Sequence, residues 1–268
     1  MHICMGALLL SLVLVADPYA AIAAGKPTIP SPLSSVARGT KEAALLATLH
    51  VNADKDTCFT LGVRVRSLCF VLWTKDDGYD RPTLLFSSLT ATRNALRKRW
   101  GEPIVSEGSW YWLNPEKKLR ARLRDTDEPA QLDFETYLPL QDFLGTGAML
   151  AFEHTPILGS TRATIEKAYG VTCDTSNCSV FFPPTEVGSE VLVQIELTDG
   201  VATRYLFDLP AREEPRKELT FKLLEKKWGP RTLVAGETKD WNFEKRPDVL
   251  LYFLAGDLTV RIPHRSSP

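Results

Sequence analysis

Polar and apolar positions alternate through Leu119–Arg124, where Leu119, Ala121 and Leu123 point one way and Arg120, Arg122 and Arg124 the other. A two-residue period of this kind is a strand with one dry and one wet face. Val63 and Val65 alternate with Arg64 and Arg66 in the same manner. The period becomes helical in three related phrases: LRKRWG at Leu96–Gly101, IEKAYG at Ile165–Gly170 and LEKKWG at Leu224–Gly229. In the last, Leu224 and Trp228 are four apart, so one helix face can bury both against a sheet. Gly229 then permits the left-handed turn that releases the chain.

The phrases belong to a longer repeat. A helix through KEAALLATL, with Thr40 as its cap, precedes a strand pair holding Cys58 and Cys69, a turn at Asp77-Gly78 and a strand ending Leu85-Phe86. A helix ending Trp100-Gly101 and three further strands follow. GSTRATIEKAYG, the Cys173/Cys178 hairpin, the Asp199-Gly200 turn, Leu206-Phe207, Trp228-Gly229 and the strands from Trp241 onward repeat that order. The sequence therefore predicts an α+β fold, a tandem duplication of a helix-on-antiparallel-sheet module about 110 residues long. The repeats are placed at 40–145 and 146–263, with a seam at Leu144–Met149 and a tail at 264–268. Each sheet keeps one face that no helix covers, and such a face must be polar or meet a partner.

The N-terminus changes the compartment. Ala7–Ala16 is a short apolar run, and Ala21-Ile22-Ala23 fits a small-residue cleavage site, so residues 1–23 read as a signal peptide. An uncleaved anchor is the alternative. Residues 24–39, rich in Pro and Ser, read as a flexible lead-in. The chain has 32 Lys and Arg against 33 Asp and Glu. Asp17 is the only one of these charges in residues 1–23, so 33 less 1 leaves a mature net charge of zero. That balance, in an exported chain, argues against nucleic acid and gives no reason to expect a stable membrane anchor. Cys58, Cys69, Cys173 and Cys178 then read as two disulfides. Three pairings are open, and the local one closes the shortest loops. A zinc site is the rival, without any C-x-x-C spacing to support it.

Candidate chemistry is sparse. No nucleophile elbow or H-E-x-x-H helix is present. His154, beside Glu153, has no partnered nucleophile. Asp76–Asp80 resembles the start of a calcium loop, but the twelfth position is Ser87 rather than Glu. No cofactor and no metal is expected. An acid/base pair could be hidden among ordinary carboxylates, with Asp133 and Glu135, two apart on one strand face, as an example; across strands they could equally neutralise the arginine row. In SWYWL, Trp110 and Trp112 share a face and Tyr111 takes the other. With Trp241, Arg120 and Arg122 these aromatics are the candidate binding residues. Arg93, Arg97, Lys98 and Arg99 could extend a basic stripe.

Gly159, Thr161, Arg162, Ile165 and Gly170, with Cys173 and Cys178 and the Asp199-Gly200 turn, resemble the secreted beta-lactamase inhibitor proteins. The same unit is similar to the small lipoprotein subunit of the outer-membrane barrel-assembly machine. The likeness is best over 159–209. It implies a non-catalytic module that binds a protein partner in the periplasm or outside the cell, as an enzyme inhibitor or an envelope-assembly factor. Two sheet faces forming a saddle would grip that partner. An exported hydrolase using Asp133 and Glu135, or a purely structural envelope protein, are the alternatives.

Overall fold

The computed structural model describes residues 17–37, 39–51, 57–58, 62–65, 68–75, 78–125, 129–154, 157–209, 214–234, 240–254 and 257–263. The first half runs α1 (Glu42–Leu49), β1 (Thr57–Cys58), β2 (Gly62–Val65), β3 (Leu68–Lys75), β4 (Gly78–Phe86), α2 (Leu89–Trp100), β5 (Ile104–Ser106), β6 (Ser109–Asn114), β7 (Leu119–Arg124) and β8 (Ala130–Thr136). After α3 (Leu140–Leu144), the second runs α4 (Arg162–Tyr169), β9 (Asn177–Phe182), β10 (Val191–Thr198), β11 (Val201–Leu209), α5 (Glu214–Trp228), β12 (Arg231–Leu233), β13 (Trp241–Phe243), β14 (Arg246–Leu254) and β15 (Asp257–Pro263).

Two sheets result, ordered β1-β2-β3-β4-β8-β7-β6-β5 and β9-β10-β11-β15-β14-β13-β12. Without the additional β1, the two orders match strand for strand. In each half a helix carries the chain from the third strand across to the far edge, and the last strand returns to pair with the third. The fold is α+β, with helices on one face of each antiparallel sheet. The cysteines pair locally: Cys58–Cys69 and Cys173–Cys178, with Cα separations of 5.9 and 4.4 Å.

Local chemistry sets the ends of the helices. The Thr161 hydroxyl accepts the Thr164 N–H and caps α4, and Ser88 does the same for α2 through Ala91. Thr40 does not cap α1 as expected. Its hydroxyl donates back to the Ala37 carbonyl at 2.6 Å, and Lys41 takes the cap position without a side-chain bond.

Each half has its own core. Leu45, Leu49 and Leu96 from the helices meet Phe70, Leu84, Phe86, Leu132 and Phe134. Ile165, Phe221, Leu224 and Trp228 meet Val193, Ile195, Phe207 and Val260. Leu224 and Trp228 are both buried, as their spacing predicts.

Two expected boundaries are corrected. Leu140, Phe143 and Leu144 pack in the second core, so the seam lies before Leu138 rather than after Gly145. The lead-in expected to be flexible is anchored at several described positions: Leu33 is buried, Ile29 and Val36 pack on the first core, and Asn114 donates to the Pro27 carbonyl at 2.9 Å. Part of the segment assigned to the signal also packs. Tyr19 stacks on Phe86 at 5.0 Å, Ile22 is buried in the first core and Asp17 pairs with Arg99. The reason is a pair of matching clasps. The Trp100 indole N–H donates to the Ala23 carbonyl, and the Trp228 indole N–H donates to the Ala148 carbonyl. In both halves the tryptophan at the helix end holds the segment that enters the module.

The second clasp is tight. Lys227 donates to the Gly147 and Met149 carbonyls. Gly145 sits at φ 72°, where an added Cβ would stand 2.9 Å from the Met149 carbonyl oxygen. Gly145→Ala should therefore cost about 1–3 kcal/mol, read as a lower urea midpoint with an unchanged m-value.

Tyr205 lies fully buried in the second core and donates to Glu153 at 2.7 Å. Burial, reinforced by the Glu153 charge, pushes its phenol well above the ordinary value. The unfolded phenol ionises near pH ~10. Its stabilising contribution is therefore complete below about pH 10 and declines as pH rises beyond it. Urea midpoints should fall more steeply above that pH in the wild type than in Tyr205→Phe.

Candidate functional site

Away from the helices, the two sheets meet different fates. On the first, β7 places Arg120, Arg122 and Arg124 opposite the β8 carboxylates, with Arg120 in register with Glu135 and Arg122 with Asp133. Arg120 donates through Nε and Nη2 to Glu135 Oε2 at 2.9 and 2.6 Å. Arg122 Nη2 bridges Asp133 and Glu135, 2.9 Å from each. Arg124 Nε reaches Asp133 Oδ2 at 2.6 Å, and the Thr83 hydroxyl reaches Oδ1 at 2.5 Å. Arg81 adds an ion pair to Glu135 at 3.4 Å. Cross-strand neutralisation is thus what the alternation produces.

The face is not wet, however. Arg120 is 1% exposed and Asp133 0%. The loop between β9 and β10 of the second module, residues 183–190, lies over it. Arg120 Nη1 donates to the Thr185 carbonyl at 2.9 Å, and the Gly188 N–H donates to the Tyr111 hydroxyl at 3.4 Å. Arg120 also stands 5.2 Å over the Tyr111 ring. The second module has taken the place of the expected partner on this face.

The expected hydrolytic pair does not suit proton transfer. Burial alone would raise Asp133, but Arg124, Arg122 and the Thr83 hydroxyl outweigh it and hold its carboxyl below the ordinary range. Asp133 is thus an inaccessible counter-ion with no proton to give at neutral pH.

The other expected binding residues are corrected likewise. Tyr111 is on the face opposite Trp110 and Trp112, as the alternation requires, but at 2% exposure it offers nothing to a ligand. Trp112 is buried in the first core and donates to the Gly101 carbonyl. Trp110 packs half-buried on that core beneath Arg93. Trp241 packs on the second, between Phe221 and Phe253. Large aromatics gain most by burial, and the helix side had room for all three. No common basic stripe forms either: Arg97 pairs with Glu102 and Arg99 with Asp17 on α2, across the sheet from Arg120. His50 is exposed at the end of α1. The His154 side chain, His264 and the Asp76-Asp77 turn lie outside the described residues. Among the described residues no group of His, Cys, Asp or Glu could hold a metal ion.

Among the described residues, no helix covers the other face of the second sheet. Along β10, Val191, Val193, Ile195 and Leu197 turn into the core, and Leu192, Gln194, Glu196 and Thr198 turn away. Register extends the outer residues into rows: Ser179, Gln194, Leu206, Arg261 and Leu250 form one across five strands. Phe181 with Leu192, and Asp208 with Thr259 and Tyr252, lie beside it. Phe181 is 60% exposed, whereas Glu196 pairs with Arg204 and Thr259 donates to Asp208. This face is neither purely polar nor closed. The sequence reading singled out none of its residues, although the even positions of VLVQIELT carried the signal. Comparison of the chain with protein-family models, with curated proteins and with solved structures finds no match.

Proposed function

We propose that this protein is an exported, non-catalytic protein-binding module whose docking surface is the uncovered face of the second sheet. The observation that carries the reading is the mixed patch of Phe181, Leu192, Leu206, Leu250, Tyr252 and Arg261 on five adjacent strands. Phe181 is exposed and the other five are partly exposed; aliphatic and aromatic side chains interleaved with arginine are the composition of recognition surfaces. A sheet face with its own core already filled has no internal use for them.

Two disulfides fit a non-cytoplasmic compartment, and no described helix is long and apolar enough to cross a membrane. The periplasm or the cell exterior is the compartment proposed. The likeness to the beta-lactamase inhibitor proteins and the barrel-assembly lipoprotein supports binding of an enzyme or an envelope component. A tandem duplication accounts for the shared strand order.

A photo-crosslinking residue at Gln194 tests the reading in the living host. It should yield one discrete protein adduct that Leu206→Asp abolishes. The same residue at Leu219, exposed on α5, should yield none. Equal adducts from both positions, or none from Gln194, would refute it.

A further inference from the structure

The first sheet is split. β4 pairs with β8 only from Thr83–Asp133 to Phe86–Ala130. Beyond that point β4 continues on β3 back to Gly78, and β8 continues on β7 out to Thr136. Pro82, which has no N–H to contribute to a ladder, stands where the pairing stops. The strands part there, and a cavity of about 600 Å³ occupies the fork, closed on one side by the second module's Phe181–Pro184.

Its walls are of two kinds. Ile29, Val36, Leu119, Phe134 and Phe182 are apolar. Arg81, Arg120, Arg122 and Glu135 are charged. In the part-buried cluster behind them, three guanidinium groups (Arg120, Arg122 and Arg124) face two carboxylates, Asp133 and Glu135. Glu190 also lines the cavity but is exposed to water, which screens it. Arg122 uses Nε and Nη2 on those carboxylates, and its Nη1 donates to no protein group among the described residues. Its side chain keeps 16% exposure.

We propose that this fork is a binding site for a small amphipathic carboxylate. Its head group lies against Arg122, with Arg81 beside it, and its apolar body lies along Leu119, Phe134 and Phe182. An apolar-walled cavity of several hundred cubic ångströms with a few converging polar groups is the usual form of a small-molecule site. A carboxylate supplies the negative charge that the cluster lacks and accepts charge-assisted hydrogen bonds from a guanidinium. A neutral ligand of the same shape would leave that excess unbalanced. The site shares Phe181 with the outer face of the second sheet, whereas Val36 and Arg122 pack with the first module, so their substitution tests the cavity alone.

Isothermal titration of the full chain with decanoate, decanol and acetate tests the proposal. Decanoate should bind at least tenfold more tightly than decanol, which lacks the charge, and than acetate, which lacks the apolar body. Arg122→Gln should lose at least tenfold in decanoate affinity. Because Arg122 is also part of the buried network, Val36→Trp provides a second variant. It fills the cavity from a half-buried position outside the charge cluster, and should abolish decanoate binding while leaving the thermal midpoint of the ligand-free protein unchanged. Three results would each overturn the site: no heat with decanoate up to about 1 mM, equal binding of decanol and decanoate, or wild-type decanoate affinity in Val36→Trp.

Discussion

Asp133→Ala should cost about 3–5 kcal/mol, a large share of the roughly 5–15 kcal/mol that stabilises an ordinary domain. The carboxylate is fully buried and accepts from Arg122, Arg124 and Thr83. Removing it leaves part-buried Arg124 without its carboxylate, Arg122 with Glu135 alone, and a buried hydroxyl without its acceptor. Breaking one side of a buried pair is far more costly than never having built it, because the surviving charge stays desolvated. Acid should act on the same group. With the folded carboxyl held below its ordinary value, the stabilisation it supplies is complete above about pH 4 and is lost as pH falls through the lower folded value. Urea midpoints of the wild type should therefore decline below about pH 4. Asp133→Ala should be weak throughout and show a smaller acid decline. A stability within about 0.5 kcal/mol of wild type would mean that the network does not hold the first sheet as described.

The second large effect is expected at Trp228. Its ring is 1% exposed, meets Phe243 edge-on at 5.2 Å and clasps the Ala148 carbonyl at 2.7 Å. Trp228→Ala removes the packing and the clasp together and should cost about 3–5 kcal/mol. Trp228→Phe keeps most of the ring and orphans only the carbonyl, so about 1 kcal/mol is expected. The two variants separate packing from clasping in one urea series. A loss of the same size in both would put nearly all of Trp228's contribution in the hydrogen bond, contrary to the core described here.

Much of this fold could be read from single positions. The alternation of LRARLR set the parity of β7, and the spacing of Leu224 and Trp228 set the buried face of α5. The repeated order of cysteine pair, D-G turn and W-G helix end anticipated a shared strand order. These features are local, and each follows from the geometry of one element. The charged face was misjudged because its burial is decided elsewhere. Residues 183–190 read as a Pro- and Gly-containing loop, and nothing in them announces that Thr185 and Gly188 will bond to Arg120 and Tyr111 more than sixty residues away. The lead-in was misjudged for the same reason: the Trp100 clasp on Ala23 spans 77 residues. Of the candidate site, Leu192, Gln194 and Leu206 were visible as the outward positions of strands already recognised. Their exposure became informative only once the first sheet proved to be covered and the second not.

Hydroxyl-radical footprinting, run on the purified protein and on the same protein in its native compartment, tests the central claim most directly. In isolation, Phe181 and Tyr252 should oxidise readily and Tyr111 slowly. In the native compartment, Phe181 and Tyr252 should become protected while Leu219 on α5 keeps its rate. Fast oxidation of Tyr111 in the purified protein, or unchanged rates at Phe181 and Tyr252 in the native compartment, would contradict the account.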